Sequence, residues 1–139
     1  MKVRIVVVLL LVMSVSAFGM ESFSLLRVST PLVVSGAAGL RTGHADGTMR
    51  PTIQGELGVG GGRILVGLDQ TGQGRFGHAI KGSILRTWLE PLSVDAGQTF
   101  LGLEGEVSLG QLLLNAGGYR RVSEGNDGWL LSAGIGFIF

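Results

Sequence analysis

Two histidines are the side chains of this sequence best suited to act as a general base, and each lies near a hydroxyl group. Hydrolysis of a lipid ester needs a serine nucleophile, a histidine base and an acid within reach of one another. The positions of His78 and Ser83 differ by an odd number, so the two side chains lie on opposite faces of a regular strand. His44 lies near Asp46 in a segment where Asp-Gly signals a turn. We therefore predict no catalytic site and expect that the chain is not an enzyme.

Two carboxylates form the second candidate for chemistry. Glu104 and Glu106 are two positions apart, so both side chains share one face of a strand. Paired carboxylates can tune each other for acid–base catalysis. The interpretation we favour is a ladder of salt bridges with Lys81, Arg63 or Arg121.

Nothing in the sequence predicts a cofactor or a metal ion. Residues 72–77 (GQGRFG) match a dinucleotide-binding fingerprint, but that fingerprint must open a helix, and the residues that follow alternate as a strand. We interpret the match as a glycine-rich loop. The chain has no cysteine, and neither histidine has a ligand at metal-binding spacing.

The charge balance argues against nucleic acid as a partner. The chain carries 11 basic and 10 acidic residues, and two of the basic ones, Lys2 and Arg4, precede a long apolar run. Without them the rest of the chain is almost neutral, so it has no electrostatic attraction for phosphate backbones. The pair Arg120–Arg121 is too small a basic patch to change this.

The N-terminal residues predict a secretory signal peptide. Lys2 and Arg4 precede the apolar run 5–15, and residues 15–17 (VSA) offer small side chains at a cleavage site. We assign residues 1–19 to the signal peptide and residues 20–139 to one domain. The alternative, a transmembrane anchor, would need about 20 apolar residues, which is more than this run supplies.

The remainder alternates between apolar and polar or small side chains, with a period of two, between clusters rich in Gly, Pro, Asn and Asp. Seven strands are predicted, at 32–40, 52–59, 63–70, 78–88, 98–109, 112–122 and 129–139. Membrane barrels favour even strand numbers, so an eighth strand is expected at 23–28. The alternative is that residues 23–28 prolong the first strand. The prediction is an all-β fold, an antiparallel up-and-down β-barrel of about eight strands.

Charged side chains of both signs collect on one face of the predicted strands. They are Glu56, Arg63, Asp69, Lys81, Glu104, Glu106 and Arg121. In a membrane barrel this face lines the lumen, where opposite charges can pair across strands. In a soluble β-sandwich or small-ligand barrel the same charges would face water, and the sequence leaves that alternative open.

Aromatic side chains near the strand ends fit a position at the edge of a membrane. Trp88, Trp129 and Phe139 are predicted to be interfacial aromatics. Arg86 falls on the predicted outward face, which suits a lipid-facing surface only near a strand end, where the side chain can reach the headgroups.

These features together resemble small bacterial outer-membrane β-barrel proteins of uncharacterised function. The resemblance is carried by the signal peptide, the lack of cysteine, the alternating strands and the terminal GFIF at 136–139. It implies a location in the cell outer membrane, contact with membrane lipid, and recognition of the C-terminal strand by the outer-membrane assembly machinery. The function expected from it is a structural or interaction role with a side-chain-filled lumen. A membrane-embedded lipid-modifying hydrolase and a soluble periplasmic protein are the alternatives.

Overall fold

The computed structural model describes residues 19–42, 49–71, 75–90, 94–125 and 128–139, and these form a closed antiparallel barrel. The strands are β1 (Met20–Ser29), β2 (Val33–Thr42), β3 (Arg50–Gly58), β4 (Gly61–Asp69), β5 (Phe76–Thr87), β6 (Thr99–Leu109), β7 (Leu112–Arg121) and β8 (Trp129–Ile138). The predicted signal peptide lies almost wholly outside the described residues. No helix among the described residues is long and apolar enough to cross a membrane.

Strand order follows the sequence around the ring, so the predicted up-and-down topology with eight strands is confirmed. The eighth strand is β1, which pairs with β2 along its whole length and with β8 from Leu25↔Ile138 to Ser29↔Gly134. Residues 23–28 therefore do not prolong the first predicted strand, and that alternative is wrong. Their alternation is weak because apolar side chains lie on both faces: Phe23 and Leu25 face inward, whereas Leu26 and Val28 face outward.

The barrel has two ends, which we name by the chain termini. At the terminal end β1 begins and β8 ends; at the distal end β1 turns into β2 through residues 30–32. The connection from β6 to β7 at the terminal end is a tight turn, in which Gly110 has φ 59°, a left-handed conformation that glycine adopts without steric cost.

The interior is layered along the barrel axis. An apolar cluster of Phe23, Leu25, Ala37, Leu113 and Ile138 lies toward the terminal end. A second cluster, the distal cap, contains Leu32, Leu85, Phe100 and Tyr119, with Val94 and Leu130 packed against it. Charged and polar side chains fill much of the remaining interior, including the terminal end, where Arg41 lies beside Phe23.

Leu32 corrects one detail of the predicted pattern. In the predicted strand 32–40 it shares a face with Val34, yet Val34 is exposed and Leu32 is completely buried in the distal cap. It precedes β2 and belongs to the turn that follows β1, so strand alternation does not apply to it. Its carbonyl oxygen accepts a hydrogen bond from the Gly60 amide, which ties two distal turns together.

Candidate functional site

The candidate site is the network of buried charges in the barrel interior, and Arg27 on β1 stands at its centre. Its guanidinium donates from Nη1 to Glu104 Oε1 at 2.6 Å and from Nη2 to Glu106 Oε1 at 2.7 Å. Both carboxylates come from β6, where the period of two directs them inward on the same face. Arg27 therefore binds the two carboxylates that occupy successive inward positions of β6, on another side of the barrel.

Arg63 on β4 forms the second branch of the network. Its Nε donates to Glu56 Oε2 at 2.9 Å, and its Nη1 contacts both Glu104 and the Tyr119 hydroxyl. The Tyr119 hydroxyl in turn donates to Glu104 Oε2 at 2.6 Å. Glu104 also accepts a hydrogen bond from Asn115 Nδ2, so this carboxylate has donors from three other strands, β1, β4 and β7.

Lys81 on β5 extends the network toward the terminal end. Its Nζ lies 2.6 Å from Glu106 Oε2, 2.9 Å from Gln54 Oε1 and 3.3 Å from Asp69 Oδ2. Asp69 Oδ2 also lies 3.3 Å from Arg41 Nε. The other oxygen, Asp69 Oδ1, accepts hydrogen bonds from the backbone amide and hydroxyl of Thr71.

The charges of the network balance. The cations are Arg27, Arg41, Arg63 and Lys81, and the carboxylates are Glu56, Asp69, Glu104 and Glu106. All eight side chains are almost completely removed from solvent. An ion removed from water is tolerated only when partners compensate it, and here each one has at least one partner of opposite charge. Glu104 and Glu106 take part in this network as salt-bridge partners of Arg27, Arg63 and Lys81.

Six of the seven side chains predicted to share the lumen lie in this network. The exception is Arg121, which lies near the distal end with Nη2 3.7 Å from Asp95 Oδ2 and its guanidinium 5.8 Å from the Phe100 ring. Its parity is inward, but it is the last residue of β7, beyond the layer occupied by the other charges. It therefore does not pair with Glu104 or Glu106.

Sequence reasoning missed Arg27 and Arg41, which are as buried as the predicted members. A usable signal for Arg27 was its own charge between the apolar Leu26 and Val28, because a charged side chain within a membrane-barrel strand favours the lumen. The signal for Arg41 was weaker, since a charge at the end of a strand usually faces water. Here Arg41 packs over the Phe23 ring, with 4.0 Å between guanidinium and ring centroid.

His78 and Ser83, two residues considered for hydrolysis, do not come together. His78 is exposed on the outer face of β5, whereas Ser83 is buried on the inner face of the same strand. His44 and residues 72–74 of the glycine-rich match lie outside the described residues, and the segment that follows the match is strand β5. Within the described ranges, no group of three or more His, Asp or Glu side chains is placed to hold a metal ion.

The three aromatic side chains predicted at the edges are all exposed. Trp88 follows β5 and Trp129 begins β8 at the distal end, with exposed fractions of 46% and 76%. Phe139 ends the chain at the opposite end of the barrel and is 72% exposed. Trp88 Nε1 donates to the Val59 carbonyl at 3.0 Å, which fixes the ring against the outer surface.

Comparison with known proteins finds no matching family model, no matching curated protein and no matching solved structure. Two properties of the described residues bear on function: a charged, filled interior and an apolar exterior.

Proposed function

We propose that this chain is an integral β-barrel of the bacterial outer membrane with a structural or interaction role and a lumen closed by its own side chains. The observation that carries the proposal is the distribution of polarity across the barrel wall. Charges are buried inside, and large apolar side chains are exposed outside along all eight strands. Water-soluble barrels have the opposite distribution, whereas lipid favours an apolar exterior.

The exposed apolar surface is continuous around the ring. Outward positions with large apolar side chains include Leu26, Val34, Ile53, Val66, Ile80, Leu103, Leu114 and Ile135, one on each strand. Contiguous apolar patches on soluble monomers rarely exceed a few hundred Å². The described strands close into a ring in which every strand pairs with two neighbours, β1 and β8 being joined from Leu25↔Ile138 to Ser29↔Gly134, and a hydrocarbon environment favours such closure.

Outward-facing ionisable side chains mark the borders of this apolar band. At outward positions of the described strands they are His78, Arg86 and Arg120, and each lies within three residues of a strand end. The path along β5 from His78 to Arg86 is about 26 Å at roughly 3.3 Å per residue. A strand tilt near 40° shortens it to about 20 Å, close to the ~25 Å apolar band of membrane barrels.

The filled interior supports a structural role over that of a pore. The charge network extends through the lumen from Tyr119 of the distal cap to Arg41 beside Phe23, and the two apolar clusters pack against it. Side chains of an eight-stranded barrel are large enough to fill its interior. We therefore propose that the protein conducts neither ions nor solutes and acts through its outer surface and loops.

Fractionation of cells that express the full chain tests the proposal. The mature protein is expected in the outer-membrane fraction, to require detergent for extraction, and to migrate differently on gels before and after heating. Reconstituted into planar bilayers, it is expected to give no discrete conductance steps. Recovery of a soluble monomer from the periplasm would overturn the membrane location, and regular conductance steps would overturn the closed lumen.

A further inference from the structure

A groove crosses the outer surface of strands β2 to β5 near the distal end. It encloses about 830 Å³. Its floor consists of small residues on three adjacent strands, Gly36, Ala38, Gly55 and Gly62. The strand register brings them together, because Ala38 pairs with Gly55 and Leu57 pairs with Gly62. The groove therefore interrupts an otherwise bulky apolar surface.

The floor is open where it faces away from the barrel. A β-carbon built on Gly36 or on Gly55 would meet no atom within 4 Å. Leu57, Ile64 and Ile84 form the apolar walls. The shape and the lining suit a flexible hydrocarbon chain lying against the barrel wall.

The distal end of the groove is closed by Trp88. Its indole ring lies over Gly62, since a β-carbon on that glycine would come within 3.0 Å of the ring. The hydrogen bond from Trp88 Nε1 to the Val59 carbonyl holds the ring at this position. Indole rings favour the boundary between hydrocarbon and headgroups, so the groove ends at the depth where a lipid headgroup would begin.

Arg86 lies at this same boundary, paired in register with Gly62 of the groove floor. Its side chain faces outward and is exposed. Among the described residues it has no ion-pair or hydrogen-bond partner. A guanidinium beside hydrocarbon is unfavourable unless an anion compensates it, and phosphate oxygens match its donor geometry. A cation at one end of an apolar groove is complementary to a negatively charged amphiphile.

From this juxtaposition we infer that the groove binds one anionic phospholipid, with an acyl chain along Gly36 and Gly55 and the headgroup phosphate on Arg86. The inference rests on the proposed membrane location and adds to it a preference for a lipid class. Arg86, a cation on an otherwise apolar face, is then the residue that selects the headgroup charge.

Quenching of Trp88 fluorescence by brominated lipid tests the inference. The sequence has two tryptophans, so Trp129→Phe leaves Trp88 as the only reporter. The folded protein is reconstituted into vesicles containing equal amounts of phosphatidylglycerol and phosphatidylcholine, with bromine on the acyl chains of one lipid at a time. Quenching is expected to be roughly twofold to fivefold stronger with brominated phosphatidylglycerol, the enrichment that one exposed ion pair supports.

Four variants, each made in the Trp129→Phe protein, test which residues cause the preference for phosphatidylglycerol. Arg86→Gln is expected to abolish it and Arg86→Lys to retain most of it. Gly55→Leu fills the floor and is expected to reduce quenching by both lipids. Arg120→Gln removes a charge at the same end but outside the groove, so the preference is expected to persist.

Equal quenching by the two lipids in the parent protein, or a preference that survives Arg86→Gln, would overturn the lipid site while leaving the membrane location intact. A Trp88→Phe variant, which reports from Trp129, separates the two proposals. If neither tryptophan is quenched by either lipid, the chain is not inserted and both proposals fail. A cross-linked dimer that disappears in Gly55→Leu would assign the groove to a second copy of the chain and overturn the lipid.

Discussion

Arg27 on β1 and Glu104 on β6 form a buried salt bridge at 2.6 Å, although 77 residues separate them along the chain. Their strands are not neighbours in the ring, so the contact spans the lumen. Because Glu104 also binds Arg63 and Tyr119, one carboxylate links β1, β4, β6 and β7. The network therefore holds the wall together from inside, in addition to the backbone hydrogen bonds between adjacent strands.

Removal of the Glu104 carboxylate is expected to destabilise the barrel strongly. Glu104→Ala leaves Arg27 and Arg63 with fewer anionic partners in a buried site, and breaking such a network typically costs about 3–5 kcal/mol. The control is Glu124→Ala, which removes an exposed carboxylate in the loop after β7 and should change stability by less than about 0.5 kcal/mol. Urea titration in phospholipid vesicles, followed by gel mobility, measures both. Equal midpoints would contradict a stabilising role for the network.

The pair Lys81 and Glu106 should show strong energetic coupling. Lys81 Nζ and Glu106 Oε2 lie 2.6 Å apart. Either single change, Lys81→Met or Glu106→Gln, removes this partner from the charge that remains. We expect the double variant to lose about 1–3 kcal/mol less than the sum of the two single losses. The free energies of unfolding of the four proteins complete the cycle. Strict additivity would mean that the two side chains act independently.

Charge placed on the outer surface is expected to be tolerated only near the ends of the barrel. Leu103 faces outward near the middle of β6, and Leu109 faces outward at its terminal end. Leu103→Lys should cost about 2–4 kcal/mol in a bilayer, and Leu109→Lys about 0–1 kcal/mol. Unfolding in vesicles measures the difference. In a water-soluble barrel neither exposed lysine would change the stability appreciably, so similar stabilities of the two variants would argue against membrane insertion.

Tyr119 depends on the absence of a side chain on the neighbouring strand. A β-carbon on Gly102 would collide with the Tyr119 ring and with the Gly118 carbonyl oxygen. Gly102→Ala is therefore expected to displace the ring from Glu104 and to cost about 1–3 kcal/mol. Gly105→Ala on the same strand is the matched control, because the nearest atom to its β-carbon is the Ala116 carbonyl oxygen at 3.9 Å. If Gly105→Ala loses as much stability as Gly102→Ala, the cause is the replacement of a β6 glycine in general and not the displacement of Tyr119.

The last residue should matter more for assembly in cells than for the folded barrel. The Phe139 side chain is 72% exposed, and the contacts that hold this residue include backbone hydrogen bonds to Ser24. Phe139→Ser is expected to lower the amount of protein in the outer membrane several-fold while leaving stability after refolding nearly unchanged. Phe76→Ser, at the same end of the barrel but far from the C-terminus, controls for a general loss of exposed aromatic surface. Equal outer-membrane levels for the two variants would remove the C-terminal strand as the recognised element.

Much of the fold could be predicted from local pattern. Alternation with a period of two located seven strands, with ends shifted by a few residues, and the even-number rule identified β1. The same alternation placed Glu104, Glu106 and Lys81 on one face, because side-chain parity along a strand is a local property. It failed at Leu32, whose turn folds over the distal end, since a turn has no parity.

By itself, then, the sequence determined the strands, their two faces and the balance of charge, because each follows from short-range spacing and composition. The tertiary structure decided which charges meet. The stagger of the strands around the closed ring sets the height of each side chain along the axis, so Arg27 reaches Glu104 and Glu106 while Arg121 lies beyond them. Closure also decided that the charged face is the inside, because only the curvature of the complete ring tells the two faces of a strand apart.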